Sequence, residues 1–470
     1  MQPRTYGLRH LTGWQGIVIM ALVSGFFVQN FGCRATQADG AAIEQQLATK
    51  GLSQAASPDQ ADVVILNTCT VTASADQDAR AAIRRVRREN PLAKILVTGC
   101  YAQRAPQEIA ALEGVTWVVG NSHKHQVADI ATSSAPQDFI SLENVALSSP
   151  AFTVIGDIFA HTELVAAPVF SSDDISARTR PNLKVQDGCN NRCSFCIIPS
   201  VRGQSRSMRL ERVIEEINTL VSTGYREIVL SGINLGRWGR DFTPRQRFED
   251  LIRALLEHTA IEKIRISSIE PMDWTDELIR LVAGSARIAG HAHVPLQSGS
   301  DFILRRMHRK YRPWHYAEKI RRIHEAMPDA AIGADVMSGF PGETDELFAE
   351  SYSFIERLPF TYLHVFTYSS RPGTPSAAMT GQVPVAVSRD RNRLLRELAE
   401  HKNREFRKRF LNRTLEVITL QSGDGLWTEA LSDNYLKVRV NGNHPANTWM
   451  KVEINDIGSE HLLANAQKKL

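Results

Sequence analysis

No cysteine occurs after residue 196 of this 470-residue chain, and only six stand before that point. A disulfide framework, the device of small cysteine-dense secreted domains, is thereby excluded, and reduced thiols in a cytosol fit better. Low-complexity tracts and short repeats are also absent, and the composition is that of an ordinary soluble protein, 43% hydrophobic and 23% charged. Charge of one sign is not in large excess: the net charge is +4, so the molecule as a whole is no polycation. Long apolar runs are lacking as well. The best candidate, WQGIVIMALVSGFFV at 14–28, follows Arg4 and Arg9 as a signal-peptide core would, but it is short for a membrane span. No small-x-small cleavage site separates it from the residues that must be kept. The expectation is a translational start near Met20, residues 1–23 being a leader outside the folded protein, and no membrane partner.

The length suggests two to four domains. From residue 24, apolar runs alternate with helical patterns: FFVQNFGC before a helix at about 39–50, DVVILNTC before one at 75–90, and KILVTGC before one near 106–112. This order predicts an N-terminal α/β domain with a parallel sheet, over 24–135. Each run ends in a cysteine: Cys33, Cys69 and Cys100. Ligands of open α/β sheets gather outside the carboxyl ends of the strands, so three thiols separated by 36 and 31 residues are expected in one crevice. The alternative is three inert buried thiols, the usual fate of isolated cysteines.

After a linker at 136–175, six more strand-like runs alternate with helices: NLKVQD, REIVLSG, KIRISSIE, AHVPLQ, AIGADVMSG and TYLHVFTYS. Helices are expected near 210–222, 248–258, 275–286, 300–326 and 344–357. Six βα units over 176–410 predict a partial (β/α)6 barrel with its chemistry at the carboxyl strand ends. Short strands in 411–470 (LEVITLQ, NYLKVRV and TWMKVEIND) predict a small all-β barrel. Two basic runs stand out. Residues 389–413 hold ten Lys/Arg against four Asp/Glu, and 305–322 hold eight against one. With Arg84, Arg85, Arg87 and Arg88, they suggest a polyanion partner as readily as solvated helix faces.

The sharpest signal is GCNNRCSFCIIP at 188–199, three cysteines at spacings of four and three directly after the first barrel strand. Structural zinc takes four ligands in a closed tetrahedron, and here no histidine stands nearby to complete the set. A 4Fe–4S cluster has four irons, so three thiolates leave one iron open to a further ligand. A fully ligated electron carrier or a zinc-structured RNA-binding protein remain competing readings, separable by metal analysis.

CNNRCSFC in that place resembles the radical S-adenosylmethionine (SAM) enzymes. The resemblance implies that Cys189, Cys193 and Cys196 hold a 4Fe–4S cluster whose unique iron chelates SAM. One electron then breaks a C–S bond to give a 5′-deoxyadenosyl radical. It further implies that Phe195 packs near the adenine, and that Ser231, Gly232, Asn234 and Glu270 contact the methionine and ribose parts. A three-cysteine N-terminal domain, such a barrel and a small β tail together resemble the methylthiotransferases, over about 24–470. NTCTVTASADQDAR, GCYAQ, CNNRCSFCIIPSVRGQSRS and VLSGINLGRWG look like the branch acting on N(6)-threonylcarbamoyladenosine of tRNA. The branches acting on isopentenyladenosine tRNA or on a ribosomal protein are the alternatives. One departure is Thr36, where the family's first motif has Asn.

What this implies is a cytoplasmic, monomeric enzyme with two 4Fe–4S clusters and SAM. The second cluster, on Cys33, Cys69 and Cys100, would carry the sulfur. Its partners would be the tRNA anticodon loop, where position 37 is modified, an electron donor and a sulfur source. The tail resembles the RNA-binding TRAM domain.

Overall fold

The computed structural model describes residues 24–133, 151–160, 179–423 and 425–467. The leader expected at 1–23 lies outside the described residues.

The first layer of structure follows from strands that are apolar on both sides. β1 (Gly25–Asn30), β2 (Ser53–Gln54), β3 (Val63–Thr68), β4 (Lys94–Gly99), β5 (Val115–Gly120) and β6 (Phe152–Val154) form one parallel sheet in the order β2-β1-β3-β4-β5-β6. β3 is buried at every position, as a central strand covered on both faces must be. Phe26, Ile65 and Trp117 pack with Ile43 and Leu47 of α1 (Arg34–Thr49) and Val127 of α5 (Val127–Thr132). Leu66, Val97 and Val118 face Ile83 and Val86 of α2 (Ala73–Glu89), and Ile109. The helix expected near 106–112 is α4 (Pro106–Ala110), and an unforeseen short helix, α3 (Cys100–Arg104), precedes it, ended where Pro106 has no N–H to continue it. Phe152–Val154, inside the stretch expected to be a linker, adds the edge strand.

The six barrel strands fall where the alternation put them: β7 (Asn182–Asp187), β9 (Glu227–Gly232), β10 (Lys263–Ile266), β11 (His291–His293), β12 (Ala331–Ser338) and β13 (Tyr362–Thr367). They make two hydrogen-bonded sheets, β10-β9-β7 and β11-β12-β13, joined by the parallel bridge Ile264–Ile288, with β8 (Arg206–Ser207) antiparallel to β7. α6 (Ile198–Arg202) follows the cysteine loop. α7 (Leu210–Ser222), α8 (Phe248–His258), α9 (Asp276–Gly284) and α12 (Asp345–Arg357) cover the outside. The helix expected at 300–326 is broken into α10 (Asp301–Arg306) and α11 (Pro313–Ala326). Pro313 sets the restart, and between them the chain turns through His308 at φ +55. That turn delivers Arg309 to the site described below.

α13 (Val385–Lys408) leads into a closed five-stranded barrel, β14 (Thr414–Gly423), β15 (Trp427–Ser432), β16 (Lys437–Asn441), β17 (Trp449–Ile457) and β18 (Leu462–Ala466), in the order β14-β15-β16-β18-β17. β15 and β18 are the two strands the pattern missed. Phe406 and Phe410 at the end of α13 insert into its core beside Val417, Val440 and Ile454, so the tail is fastened, not tethered. Among the described residues no helix is long and apolar enough to cross a membrane.

Candidate active site

Two glycines bring the N-terminal thiols to the sheet's carboxyl edge. Gly32 has φ +97, and a Cβ there would fall 2.5 Å from the Cβ of Cys69, so the chain after β1 lies directly on the second cysteine. Gly99 has φ +99, and a Cβ there would meet the Thr68 carbonyl oxygen at 2.3 Å. Cys100 therefore opens α3 instead of trailing in a turn. Cys69 and Cys100 are buried and Cys33 is exposed. Burial, with Cys100 and Cys33 close by, pushes the Cys69 thiol up to about 11. Polar groups meet the sulfurs: Thr36 Oγ1 lies 3.5 Å from Cys33 Sγ, and Asn121 Nδ2 donates to Cys100 Sγ at 3.5 Å. Thr36, the departure from the family pattern, thus takes up a position against the first thiol.

Beneath this trio lies a buried charge cluster that ties the two α/β units together. Asp39 of α1 accepts from Lys124 Nζ at 2.7 Å, from Lys184 of β7, and from Arg202 Nη2 of α6 at 3.0 Å. Asp187 accepts from Lys184 at 3.0 Å and Arg202 at 3.0 Å. Burial works against the Asp39 charge, yet Lys124, Lys184 and Arg202 hold its carboxyl well below the usual range. With Arg206 Nη2 3.8 Å from Asp187, four cations against two carboxylates leave a positive excess. Arg202 stays charged despite burial because Asp187, Cys100, Asp39 and Cys33 all favour its cation, and its Nε has no hydrogen-bond partner. Three thiols over a cluster with a positive excess and a free donor suit an anionic thiolate-bound group. The charge cluster was not foreseen; Asp39, Lys124 and Lys184 lie too far apart in the chain to read as one group.

The second trio sits in the loop after β7. Cys189 N–H donates to the Gly203 carbonyl at 3.1 Å and Cys196 N–H to that of Cys193 at 3.1 Å, which folds the loop tightly. Its sulfurs are met by donors. Asn191 N–H and Asn234 Nδ2 approach Cys189 Sγ at 3.4 and 3.6 Å, and Arg309 Nη1 approaches Cys193 Sγ at 3.3 Å. Burial pushes the Cys196 thiol up to about 12 and raises Cys189 too, so their thiolates need a cationic partner. The set of three soft ligands plus charged donors fits an iron–sulfur cluster.

The other expected SAM contacts are distributed unevenly. Asn234 is buried at the Cys189 sulfur, its N–H bonded to Gln186 Oε1 at 2.6 Å and its Oδ1 unpartnered. Glu270 pairs with Arg309 beside Cys193. Phe195 packs on Phe340, ring centroids 6.4 Å apart, with Ile303 and Met307. Gly232 ends β9 against Gln186, and Ser231 is buried with its hydroxyl towards the Leu183 carbonyl at 3.5 Å. Arg309 and Gln186 were missed. Arg309 sits inside the 305–322 run, for which a polyanion partner and a solvated helix face were equally open, and the signal that separates it is its place just before the Pro313 helix start.

That run is largely spent inside the chain. Arg312 pairs with Asp301, and Arg321 and Arg322 with Glu318. In 389–413, Arg391 pairs with Glu343 and Asp345, and Arg409 and Arg413 with Asp329. Arg309→Ala is expected to lower the rate of reductive SAM cleavage about 10²-fold or more, because it strips a charge-assisted donor from the half-buried Cys193 sulfur and leaves Glu270 unpaired. Quantified 5′-deoxyadenosine under dithionite measures it, with Arg309→Lys expected to recover part of the loss.

A parallel partial barrel with three thiols at its mouth is the arrangement of a radical SAM enzyme, and here a second trio stands on the α/β domain across the Asp39–Arg202 cluster. Comparison agrees. Residues 183–355 match the Radical SAM superfamily, and residues 25–120 match a family described as uncharacterized protein family UPF0004. The threonylcarbamoyladenosine tRNA methylthiotransferase MtaB of Aquifex aeolicus is 35% identical over 91% of this chain and 99% of its own. The protein of that name from Bacillus subtilis is 38% identical, covering 87% and 89%. The tRNA-2-methylthio-N(6)-dimethylallyladenosine synthase of Thermobifida fusca is 34% identical over 85% and 78%. Among solved structures, the radical SAM methyltransferase TsrM of Kitasatospora setae shares the fold, with a TM-score of 0.54, 15% identity, and 75% and 76% of the chains covered. The chain belongs to the radical SAM tRNA methylthiotransferases.

Proposed function

We propose that the chain is a cytoplasmic enzyme that converts N(6)-threonylcarbamoyladenosine at tRNA position 37 to its 2-methylthio form, using SAM, a sulfur source and an external electron donor. The observation that carries this reading is the meeting of two three-thiol sites across one buried charge cluster, in a chain matched almost end to end by relatives named for that reaction. Cys189, Cys193 and Cys196 would hold the SAM-binding cluster, and Cys33, Cys69 and Cys100 the auxiliary one. When bound, the first cluster supplies the electron that cleaves SAM, and the second carries the sulfur. Asn234 and Arg309 steady the sulfurs of Cys189 and Cys193 by donating to them, and Glu270, fixed by Arg309, offers carboxylate oxygens at the mouth of the same pocket. Arg202 would balance the charge of thiolates on the auxiliary side. An anticodon loop suits this site because its unpaired bases can turn outward cheaply.

Mass spectrometry of tRNA nucleosides from a deletion strain tests the reading. Loss of the methylthio form of threonylcarbamoyladenosine is expected; loss of the isopentenyl form instead would replace this substrate with its alternative.

The C-terminal barrel is read as an RNA-binding module. Deleting it would uncover Phe406 and Phe410, so charge changes are the cleaner test. Lys437→Glu with Lys451→Glu, both exposed, is expected to weaken tRNA binding about tenfold near 0.1 M salt and to lower the salt slope by about one to two, as lost phosphate contacts no longer release counterions. Filter binding across a salt series reads this out; an unchanged slope would place the RNA surface elsewhere.

A further inference from the structure

The lumen of the partial barrel carries a polar layer that no step above uses. Along β11, β12 and β13 the residues Ala292, Val294, Ala334, Val336 and Val365 belong to the core under the outer helices. The alternate positions therefore face inward. There His293 Nε2 lies 3.1 Å from Asp335 Oδ1, and His364 Nδ1 lies 3.4 Å from the same oxygen. The Tyr362 hydroxyl sits 2.9 Å from His293 Nδ1 and 2.7 Å from His291 Nε2, fixing the rings from behind. Tyr435 of the C-terminal barrel packs on Tyr362 with centroids 5.6 Å apart, and Arg34 Nη2 donates to the Tyr435 hydroxyl at 3.5 Å.

Three features make this layer look outward to a ligand. The side chain of His364 is 52% exposed and that of Asp335 23%, although both strands are walled by the core on their other face. Arg34 is half-buried, and its guanidinium meets the Tyr435 hydroxyl with no carboxylate within ion-pair distance among the described residues. One strand step of two residues above the layer, about 6–7 Å towards the carboxyl ends, stand Phe366, which is exposed, and Met337, half-buried against Ile303, Met307 and Phe340. A purine stacked on Phe366 and modified at C2 would turn C2 towards the strand ends, where the thiols stand. C2 and C6 flank N1 on the ring, so the group on N6 is turned aside and down, towards the polar layer.

We infer that Arg34, His364, Asp335 and His293 form the subsite for the N6 substituent of the target adenosine, a group that carries a carboxylate together with hydroxyl and N–H donors. This deepens the threonylcarbamoyl reading and rests on it. Arg34 and His364 supply donors to the carboxylate, Asp335 accepts from the hydroxyl or N–H, and His293, braced by Tyr362, positions Asp335. An alkenyl substituent in the same place would strand these groups without partners, so the layer rejects as well as selects. Two imidazoles and a carboxylate are also a cation's ligand set. The Arg34 guanidinium, which meets Tyr435 behind Tyr362 and has no carboxylate partner among the described residues, and the hydrogen bonds already made by Asp335 favour a substrate anion.

The test uses anticodon stem–loops carrying threonylcarbamoyladenosine, its carboxamide analogue, or isopentenyladenosine, with full-length reconstituted protein. Binding is read by fluorescence anisotropy and methylthiolation by single-turnover mass spectrometry, with iron content and melting temperature as checks on folding. Wild-type protein is expected to prefer the carboxylate over the carboxamide about 10–100-fold, and His364→Leu to reduce that preference to about twofold or less, with Arg34→Gln acting in the same direction. His364→Gln, able to donate, is expected to restore part of it. A His364→Leu protein that binds iron and keeps the wild-type preference overturns the subsite alone. Wild-type protein acting on the isopentenyl stem–loop and not on the threonylcarbamoyl one overturns the substrate reading beneath it. Stoichiometric zinc retained by wild type and lost in His364→Leu would replace the subsite with a metal centre.

Discussion

Reconstituted Cys189→Ala protein, reduced with dithionite and given SAM, is expected to release no 5′-deoxyadenosine above background, whereas Cys69→Ala protein is expected to cleave SAM and insert no sulfur into tRNA. The difference follows from where the two thiols sit. Cys189 lies in the tight loop after β7, its sulfur met by Asn191 N–H and Asn234. Alanine removes one of only three thiolates from that loop, and a cluster held by two is poorly retained. Cys69 lies across the Asp39–Arg202 charge cluster on the other α/β unit, buried against Gly32. Its loss leaves the β7 loop, Arg309 and Glu270 untouched. Iron should fall by about one cluster's worth in each variant. Methylthiolated product from Cys69→Ala would show that the N-terminal thiols do not carry the sulfur, and the reading of them as inert buried cysteines would stand.

Asp39→Ala is expected to destabilise the protein by about 3–5 kcal/mol, the cost of leaving buried cations without their carboxylate. The side chain is 1% exposed and touches Lys124, Lys184 and Arg202, each itself buried. Solvent cannot take over the charge, and nothing else in the cluster but Asp187 is negative. The sign with pH is fixed by the depressed carboxyl. A folded-state value below the unfolded one stabilises above about pH 4 and loses that contribution as pH falls through the folded value. The gap between wild type and Asp39→Asn in urea melts should therefore be full at pH 7 and shrink in strong acid. Equal midpoints at pH 7 would mean the cluster relaxes or admits water.

How far the sequence could be read depended on whether the deciding contacts were local. The six barrel strands and the three N-terminal ones were legible because each is a short apolar run bounded by turn residues. Cys189, Cys193 and Cys196 were legible because one loop carries all three. Cys33, Cys69 and Cys100 could be grouped only through the rule that parallel strands align their carboxyl ends, and the register of β1, β3 and β4 has that form. Where a helix broke, the pattern misled: 301–326 keeps a helical rhythm straight through the turn that places Arg309. β15 and β18 were lost because WTEALS and LLANA are too short and mixed to stand out from loops. The inward pairing of the basic runs was invisible for a different reason, since Glu343 and Asp329 reach Arg391 and Arg413 only through the tertiary fold.

The auxiliary trio takes its thiols from one stretch of chain and its counter-charge from another. Cys33, Cys69 and Cys100 have all left the ribosome well before Lys184 and Arg202 are made. During synthesis the nascent domain thus presents three sulfurs with Asp39 beside them and only Lys124 to offset it, a poor host for an anionic centre. On the proposed reading, iron uptake at these thiols would wait for the barrel to close against α1, and a fragment ending before residue 179 is expected to fold its sheet yet bind iron weakly. The order in which the chain is born would then set the order in which such a metal is installed.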